Sequence, residues 1–410
     1  MNDFLKEFKD RGYFYQCTDE KALSNKLNEE SIKGYIGFDC TAQSLHVGSL
    51  LQIMCLRLLQ KHGHRPIVLL GGGTTRIGDP SGKDKTRKIL EEIKIEENIK
   101  SIEKILKKFL NTSDEKTSPI FVNNYSWLKN LNYISFLRDI GKHFTINKML
   151  SFDSVKLRLE REQSLSYMEF NYMILQAYDF LELNKNQNCL LQIGGSDQWG
   201  NIVNGVELIK RYSSNEAYGL TTGLITLASG AKMGKTENGA IWLDKKLFSV
   251  FEYWQFWRNT DDRDVLKFIK MFTDLEIKKI NDLNDKDINS LKIILANEAT
   301  TMLHGKIASK KAEESAKNIF QKGSIGTELR TIFIDQSKIK NGVNIIDLVL
   351  RSKLINSKSE IRRTIKNKGI KINNLTVEDE KLNISSNSFE SQDYIKLSHG
   401  KKNHVIIKIT

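Results

Sequence analysis

The first half of the chain alternates short apolar runs with amphipathic segments, and this alternation restricts the fold more than any other feature. Residues 34–39, GYIGFD, predict a short strand, and residues 49–62, SLLQIMCLRLLQKH, carry apolar side chains at helical spacing. Residues 67–71, IVLLG, predict a buried strand that runs into the glycines Gly71 to Gly73. Strand, helix and strand in this order predict a βαβ unit, the building block of a doubly wound parallel α/β sheet.

Two further segments continue the alternation. Residues 88–110 predict a long amphipathic helix, and residues 190–201, LLQIGGSDQWGN, contain another strand that ends in glycines. We therefore predict a Rossmann-like domain with a doubly wound parallel sheet over residues 1–246.

The second half of the chain has a different pattern. Residues 247–335 are periodic at helical spacing and contain no proline, which predicts an α-helical domain. Residues 336–344, QSKIKNGVN, predict a linker. Residues 345–410 then form a separate small α+β module in this interpretation.

Composition narrows the class of protein. Apolar residues make up 40% and charged residues 28% of the 410 residues, as expected for a folded globular protein. The four cysteines are scattered without a CxxC pair, which argues against a disulfide framework or a zinc knuckle and predicts a cytoplasmic location. No apolar run approaches the ~18 residues of a membrane span, and the N-terminus lacks the apolar core of a signal peptide. The net charge of +13 favours a polyanionic partner such as RNA or DNA.

Three short glycine-containing segments carry groups that suit a nucleotide triphosphate. HVGS at 46–49 lies between the first strand and its helix, where parallel-sheet proteins bind ligands. GDPSGKDKTRK at 78–88 and KMGKT at 232–236 offer lysines, whose flexible ammonium groups can contact phosphates. Taken singly, each segment is equally consistent with a helix-start loop, a surface loop or a solvated basic turn.

The helix predicted around residues 167–181 has a narrow polar stripe. Tyr172, Gln176 and Asp179 are spaced i, i+4 and i+7, so they share one face of the helix. Most of their neighbours are apolar, which predicts a buried polar pocket. The alternative is a solvent-exposed face, but such a face would be expected to carry Lys and Glu, and this stripe has neither.

The C-terminal module is strongly basic at its start. Residues 351–371 contain eight basic residues and one acidic residue, with a helix that begins at Ser357 or Ser359. Strands are predicted at 370–373 and 404–409. A solvated face is the alternative, but the charge asymmetry favours RNA. The predicted RNA-binding side chains are Arg351, Lys358, Arg362, Arg363, Lys366 and Lys368.

The combination of segments is more specific than any one of them. FDCTAQSLHVGS, GDPSGK, YMILQAYDF, IGGSDQWGN and KMGKT occur in this order. In this the chain resembles the class I aminoacyl-tRNA synthetases and, within them, the bacterial tyrosyl-tRNA synthetases. HVGS matches the HIGH motif of the family, with Ser49 at the second histidine, and KMGKT matches the KMSKS motif. The C-terminal module resembles the RNA-binding module shared with ribosomal small-subunit protein four.

The resemblance implies an activity and a set of partners. The chain is expected to activate L-tyrosine with ATP, release pyrophosphate, and transfer the tyrosyl group from tyrosyl-adenylate to the 3′ end of tRNA(Tyr). It implies ATP with Mg²⁺ as substrate, no protein-bound metal, and no membrane or DNA partner. It also implies a homodimer and contact of the helical domain with the tRNA anticodon arm.

The resemblance also assigns roles to individual residues. The tyrosine-binding set is Tyr35, Asp79, Tyr172, Gln176, Asp179 and Gln198. The set expected to bind ATP or the adenylate is Gly37, Asp39, His46, Gly48, Ser49, Gln192, Gly195, Asp197 and Lys235. The set expected to stabilise charge on the reacting phosphates is Thr41, His46, Lys83, Arg87, Lys232, Lys235 and Thr236.

Within the tyrosine set, Tyr35 and Asp179 are expected to hold the substrate hydroxyl, and Tyr172, Gln176 and Asp79 its α-ammonium. The chemistry agrees, because an ionised carboxylate only accepts hydrogen bonds whereas a tyrosine hydroxyl can also donate one.

Two alternatives stay open at this point. A tryptophanyl-tRNA synthetase shares the catalytic fold, but it lacks the C-terminal RNA module and the pairing of YIGFD with YMILQAYDF. An RNA-binding protein with an inactive synthetase domain is suggested by Ser49, whereas the presence of Lys83, Lys232 and Lys235 argues against it.

Overall fold

A computed structural model gives the arrangement of these segments. It describes residues 2–80, 90–230, 233–236, 239–283, 285–322, 331–336, 339, 342–389, 394–400 and 403–409. The chain divides into two compact units. The first unit is Met1–Phe248 with Trp257–Leu303, and the second unit is Ser249–Phe256 with His304–Thr410. No helix among the described residues combines the length and the apolar character needed to cross a membrane.

The first unit is built on a six-stranded sheet. Its strands are β1 Phe14–Cys17, β2 Lys33–Asp39, β3 Arg65–Gly71, β4 Ile120–Asn123, β5 Cys189–Gly195 and β6 Tyr218–Thr222. Their order is β1-β6-β5-β2-β3-β4, with β1 antiparallel to β6 and the other neighbours parallel. The chain proceeds outward from β2 to β4 on one side and from β5 to β6 on the other. The predicted doubly wound parallel sheet is therefore confirmed, with its topological switch point between β2 and β5.

Helices connect and flank these strands. Those up to β6 are α1 Asp3–Asp10, α2 Glu20–Glu29, α3 Leu50–Lys61, α4 Gly72–Thr75, α5 Glu92–Phe109, α6 Tyr125–Leu128, α7 Tyr133–Asp139, α8 Ile146–Ser151, α9 Asp153–Glu160, α10 Tyr167–Gln187 and α11 Trp199–Ser213. A hairpin of β7 Lys235–Thr236 and β8 Gly239–Ala240 follows β6. The later helices are α12 Val250–Arg258, α13 Val265–Phe272, α14 Ile277–Asn281, α15 Ile288–His304 and α16 Lys306–Lys322.

Helix α10 is longer than its sequence pattern predicts. It begins with a capping box in which Ser166 and Glu169 satisfy each other's backbone N–H groups. It continues past residue 181 because the apolar face extends to Leu183, which is buried. It ends at Asn188, whose φ of 52° is left-handed and is tolerated by asparagine. The predicted polar stripe of Tyr172, Gln176 and Asp179 therefore lies in the interior of one continuous helix.

The second unit contains the C-terminal module. Its five-stranded sheet has the order β12-β11-β14-β15-β9, with β9 Thr331–Ile334, β11 Ile370–Ile372, β12 Leu375–Thr376, β14 Tyr394–His399 and β15 Asn403–Ile409. A second pair joins β10 Val343–Asn344 and β13 Asn383–Ile384, and the helices are α17 Ile345–Arg351 and α18 Lys358–Lys366. Isoleucine, leucine and valine side chains form its core.

The domain borders of the structure differ from those predicted. The helical segment 247–335 is divided between the two units, because α16 belongs to the second unit and α13 to the first. Strand β9 precedes the predicted linker 336–344, yet it pairs in parallel with β15. Ile332 and Ile334 on this strand pack against the core of the module, which is why its sheet begins before the linker.

Candidate active site

A cavity of about 350 Å³ opens at the carboxyl ends of the central strands. Asp39 ends β2, Gly195 ends β5 and Thr222 ends β6, so the cavity lies at the switch point where parallel sheets bind ligands. The predicted residues that line it are Tyr35, Gly37, Asp39, Gly48, Ser49, Asp79, Tyr172, Gln176, Asp179, Gln192, Gly195, Asp197 and Gln198. The structure thus brings together most of both predicted binding sets.

The deepest polar groups of the cavity come from β2 and α10. Tyr35 is 1% exposed, its ring packs 5.2 Å from that of Phe180, and its buried hydroxyl has no hydrogen-bond partner within the described residues. Asp179 is 2% exposed and accepts two hydrogen bonds. Trp127 Nε1 donates to Oδ1 at 2.7 Å and Asn124 Nδ2 donates to Oδ2 at 2.9 Å. The phenol of Tyr35 is therefore left available to a ligand beside an oriented carboxyl group.

Burial controls the ionisation of this pair. It raises the pKa of Asp179 to about 7, although the donors Asn124 and Trp127 act in the opposite direction and the charge of Asp39 adds to the rise. Burial is also the main reason why the pKa of Tyr35 lies well above its usual range, and the charge of the nearby Asp179 carboxylate adds to this rise. Tyr35 is thus a neutral phenol that can donate a hydrogen bond, and Asp179 ionises near neutral pH.

A chain of hydrogen bonds joins Asp39 to Asp179, both of which line the cavity. Tyr172 Oη donates to Asp39 Oδ2 at 3.2 Å, and Thr74 Oγ1 donates to Asp39 Oδ1 at 2.8 Å. Asn124 Nδ2 donates to Thr74 Oγ1 at 3.0 Å and also to Asp179. The two carboxyl groups are therefore held by one network, so neither can turn without breaking bonds to its neighbours.

A second polar group lies across the cavity. Gln198 Nε2 donates to Asp79 Oδ2 at 3.0 Å, while Asn201 Nδ2 donates to Gln198 Oε1 and Gln176 Oε1, each at 3.0 Å. These bonds fix the orientation of both glutamine amides and connect two carbonyl oxygens and one carboxylate in a single network. Such acceptors suit a primary ammonium group.

The HVGS and KMGKT segments contact each other. His46 Nδ1 accepts a hydrogen bond from the N–H of Gly48 at 3.0 Å. A Cβ added to Gly48 would lie 3.1 Å from Met233 O, and one added to Gly234 would lie 2.8 Å from Gly48 N. Gly234 also has a φ of +94°, which favours glycine. Glycines in both segments therefore allow the two loops to approach at backbone distance.

The structure does not place every predicted residue in the cavity. Thr41 is exposed, and neither it nor His46 lines the cavity. The His46 ring instead lies 6.2 Å from that of Trp242. Lys235 and Thr236 form β7, whose backbone pairs with β8. The residues that lie outside the described part of the chain are Lys83, Arg87 and Lys232. The roles of all these residues in phosphate chemistry stay predictions.

Sequence reasoning missed the residues that orient the predicted ones. Asn124 and Trp127 follow β4 and hold Asp179, Thr74 holds Asp39, and Asn201 on α11 holds both glutamines. A usable signal was present for Asn124, because it directly follows a strand at the edge of the sheet that binds ligands. The other three give no such signal, since their contacts depend on how the helices pack.

The basic residues of the C-terminal module lie on its surface. Helix α18 buries Ile361 and Ile365, and its N-terminus is capped by Ser357, one of the two predicted caps. The predicted RNA-binding residues, all exposed, are Arg351, Lys358, Arg362, Arg363, Lys366 and Lys368. Lys358 is paired with Asp347 at 2.7 Å and Lys368 with Glu378 at 2.8 Å, so their charges are partly neutralised.

The fold and the cavity define a class I tRNA synthetase, and comparison with known proteins agrees. Residues 27–321 match the family described as tRNA synthetases class I (W and Y). Residues 330–407 match the C-terminal domain described as tyrosine–tRNA ligase SYY-like. The chain belongs to this class I family of tryptophan and tyrosine synthetases.

Individual relatives are consistent with the tyrosine branch. The chain is 70% identical over 409 residues to a tyrosine–tRNA ligase of Pelagibacter ubique, covering 100% of both chains. It is 52% identical over 410 residues to the tyrosine–tRNA ligase of Xanthobacter autotrophicus, covering 99% of this chain and 98% of the relative. A C-terminally truncated mitochondrial tyrosyl-tRNA synthetase of Aspergillus nidulans superposes with a TM-score of 0.70 at 32% identity, over 77% of this chain and 94% of that one.

Proposed function

We propose that this chain attaches L-tyrosine to tRNA(Tyr) in two steps, through tyrosyl-adenylate. The observation that carries the proposal is the buried pair at the end of the cavity, the free hydroxyl of Tyr35 and the oriented carboxyl group of Asp179. A ligand with a phenol hydroxyl satisfies both groups. A ligand with an apolar end leaves the buried Tyr35 hydroxyl without a partner and gives the buried Asp179 carboxylate no further donor, and an unpaired buried group costs about 1–3 kcal/mol.

The hydrogen-bond directions in this pair are complementary to a phenol. The substrate hydroxyl donates its proton to the Asp179 carboxylate, and Tyr35 donates to the substrate oxygen. Both Asp179 oxygens already accept from Asn124 and Trp127, and these bonds fix the carboxylate while leaving further lone pairs for the substrate. An indole N–H only donates and cannot accept from Tyr35, which argues against tryptophan as the substrate.

The other end of the amino acid is held by acceptors. We assign the α-ammonium group to Tyr172, Gln176 and Asp79, and the reacting carboxylate to the side of Gln198. The carboxylate of Asp79 and the carbonyl oxygen of Gln176 suit a cation because charge-assisted hydrogen bonds are the stronger ones. The proposal thus assigns the phenol to Tyr35 and Asp179, and the amino-acid head to the acceptors around Gln198.

In the first step, a carboxylate oxygen of tyrosine attacks the α-phosphorus of ATP and pyrophosphate leaves. The work of the protein in such a step is positioning and stabilisation of charge. We assign the adenylate to Gly37, Asp39, Gly195 and Asp197. The side chains proposed to meet the phosphates are Thr41, His46, Lys83, Arg87, Lys232, Lys235 and Thr236. The close contact of Gly48 with Gly234 supports a joint action of the two loops.

Magnesium enters this scheme with ATP, as part of the substrate. Within the described residues, no group of three or more His, Cys, Asp or Glu side chains is arranged to hold a metal ion.

The macromolecular substrate is tRNA(Tyr), for which we propose the exposed basic residues of α18 and its flanks as a binding surface. Free thiols at all four cysteines fit our proposal of a cytoplasmic enzyme.

We further propose a homodimer. Many exposed large apolar side chains of the first unit are concentrated in residues 133–167, and soluble monomers seldom expose such clusters. The members of this apolar surface are Tyr133, Ile134, Leu137, Ile146, Leu150, Leu157, Leu159 and Tyr167. A symmetric pairing of two copies would bury the surface on both.

The decisive experiment is amino-acid-dependent ATP–pyrophosphate exchange. The proposal predicts exchange with L-tyrosine and at least a hundredfold less with L-tryptophan, followed by tyrosylation of tRNA(Tyr). Exchange that depends on tryptophan would assign the chain to the other branch of its family. Absence of exchange with either amino acid, together with binding of tRNA, would indicate an RNA-binding protein with an inactive synthetase domain.

A further inference from the structure

Cys40 joins the cavity to the loop that leads into HVGS. It directly follows Asp39, the last residue of β2, and it precedes the exposed Thr41. Cys40 is buried, and the pairing of β2 with β3 ends one residue earlier, at Asp39 and Gly71. The backbone polar groups of Cys40 therefore need partners other than a neighbouring strand.

Two side chains bind the backbone of Cys40. Its N–H donates to Thr75 Oγ1 at 2.7 Å, and its carbonyl oxygen accepts from Asn98 Nδ2 at 2.9 Å. We call Thr75 and Asn98 the Cys40 clamp. The residue before Thr75 holds the residue before Cys40, because Thr74 Oγ1 donates to Asp39 Oδ1. Helices α4 and α5 thus hold two consecutive residues at the point where the chain leaves the sheet.

Asn98 is an unexpected residue for its position on α5, a helix that lies entirely within the described residues. Its side chain is 1% exposed. The other buried residues of this helix are apolar, namely Ile95, Ile99, Ile102, Ile105, Leu106 and Phe109. The Oδ1 atom of Asn98 is also buried, and the described part of the chain gives it no hydrogen-bond partner. A leucine would avoid this unpaired oxygen and suit the apolar face, so the packing of the helix does not explain the amide.

We propose that Asn98 is a positioning residue for the phosphate chemistry; the inference rests on the proposed function. Hydrogen bonds to both backbone groups of Cys40 fix the direction in which the chain turns from β2 into residues 41–46. That segment carries Thr41 and His46, which the proposed function assigns to the reacting phosphates. Asn98 itself does not line the cavity, so it acts through Cys40. Displacements of about 1 Å are enough to impair catalysis by positioned groups.

The test compares Asn98→Leu with a matched control, Asn184→Leu. Asn184 is 4% exposed and its Nδ2 donates to Cys189 O at 3.0 Å, so it also holds the backbone carbonyl of a buried cysteine. Cys189 begins β5, at the end of the sheet opposite the cavity. The amide of Asn184 is also better paired, because its Oδ1 accepts from Asn215 Nδ2 at 3.0 Å.

The two variants should separate activity from stability. Asn98→Leu should lower the kcat of tyrosine-dependent ATP–pyrophosphate exchange about tenfold or more, because the displaced groups act in the transition state. The KM for ATP should change less than about threefold, since interactions made only in the transition state do not contribute to it. The Kd for tyrosine should stay within about twofold, and the Tm within about 3 °C of wild type. Asn184→Leu should lower the Tm further and leave kcat within about twofold.

A second variant decides the matter if Asn98→Leu does not fold. Thr75→Val removes the other half of the Cys40 clamp with a side chain of the same shape, and it should lower kcat in the same way. A kcat near that of wild type in the folded clamp variants would overturn the inference. Equal losses of kcat in Asn98→Leu and Asn184→Leu would also overturn it, because they would show an effect of stability alone. A wild type without tyrosine-dependent exchange would instead overturn the proposed function, so the two failures are distinguishable.

Discussion

The cavity of the first unit and the basic helix of the second unit use polar side chains in opposite ways. In the cavity, Asp39 and Asp179 are held by hydrogen bonds of 2.7–3.2 Å, and Asp179 is buried. On α18, Arg362 and Arg363 are exposed, and Arg362 Nε lies 4.0 Å from a carboxylate oxygen of Glu380. The cavity presents hydrogen-bonding groups in fixed directions, whereas the helix presents charge without a fixed direction.

The difference has a physical origin. A buried polar group left without a partner costs about 1–3 kcal/mol, so a buried network discriminates between ligands that differ by one hydroxyl. Exposed cations attract phosphates through screened charge, so their contribution falls with salt and depends little on sequence. Changes in the cavity should therefore alter selectivity, and changes on α18 should alter affinity for tRNA and its salt dependence.

The largest effect is expected in the KMGKT segment. Lys235→Ala should slow tyrosine-dependent exchange by two orders of magnitude or more, while equilibrium binding of tyrosine stays within about threefold. The reason is that an ammonium group near the leaving pyrophosphate interacts more strongly in the transition state than in the ground state. Near-normal exchange in this variant would remove Lys235 from the catalytic set.

The next effect concerns selectivity in the cavity. Tyr35→Phe removes one of the two groups assigned to the substrate hydroxyl. The ratio of kcat/KM for tyrosine over phenylalanine should fall by about 5- to 150-fold, equivalent to 1–3 kcal/mol. Tyr15→Phe is a suitable control because Tyr15 is exposed on β1, outside the cavity. A Tyr35→Phe enzyme as selective as the control would refute the assignment.

A smaller effect should separate two kinds of basic residue in the second unit. Arg363→Ala/Lys366→Ala removes cations for which the structure gives no ion pair within its described residues, and Lys358→Ala/Lys368→Ala removes paired ones. The first variant should raise the KM for tRNA about tenfold, and the second by less than threefold. Exchange should be unchanged in both. Equal effects on the KM for tRNA would mean that ion pairing does not decide which residues contact RNA.

The smallest effect is a pH dependence of tyrosine binding. Burial raises the pKa of Asp179 to about 7. The ionised form accepts a stronger, charge-assisted hydrogen bond from the phenol, so affinity for tyrosine should increase about threefold as pH rises through about 7. Trp127→Phe removes a donor that lowers this pKa, so the midpoint should move to higher pH. Titration calorimetry between pH 5.5 and 8.5 measures the affinity for tyrosine, and hence its midpoint, in the wild type and in Trp127→Phe. An unchanged midpoint in Trp127→Phe would contradict this account.

Much of the scaffold was predictable because periodicity is a local property. The strands β2 and β3, the helix α3 and the shared face of Tyr172, Gln176 and Asp179 all follow from spacing along the chain. The carboxyl-end rule then indicated where these side chains would meet. Resemblance supplied the roles, since spacing alone does not tell an amino-acid site from another polar pocket.

The features of the fold and the site that could not be predicted depend on contacts between segments that are distant in the sequence. Trp127 reaches Asp179 only because the segment after β4 packs on α10, and β9 joins β15 across more than seventy residues of chain. The same limit explains Thr41 and His46, which lie in the right loop but outside the cavity wall. The position of a side chain in such a loop depends on its three-dimensional contacts, which the sequence pattern does not report.

The central claim is that Tyr35 and Asp179 select a phenol hydroxyl, and binding without ATP tests it most directly. Equilibrium dissociation constants of the wild-type protein for L-tyrosine and L-phenylalanine should differ by at least about a hundredfold, because phenylalanine leaves the buried Tyr35 hydroxyl unpaired and withholds a charge-assisted hydrogen bond from the buried Asp179 carboxylate, at about 1.4 kcal/mol or more each. Similar dissociation constants for the two amino acids would contradict the account.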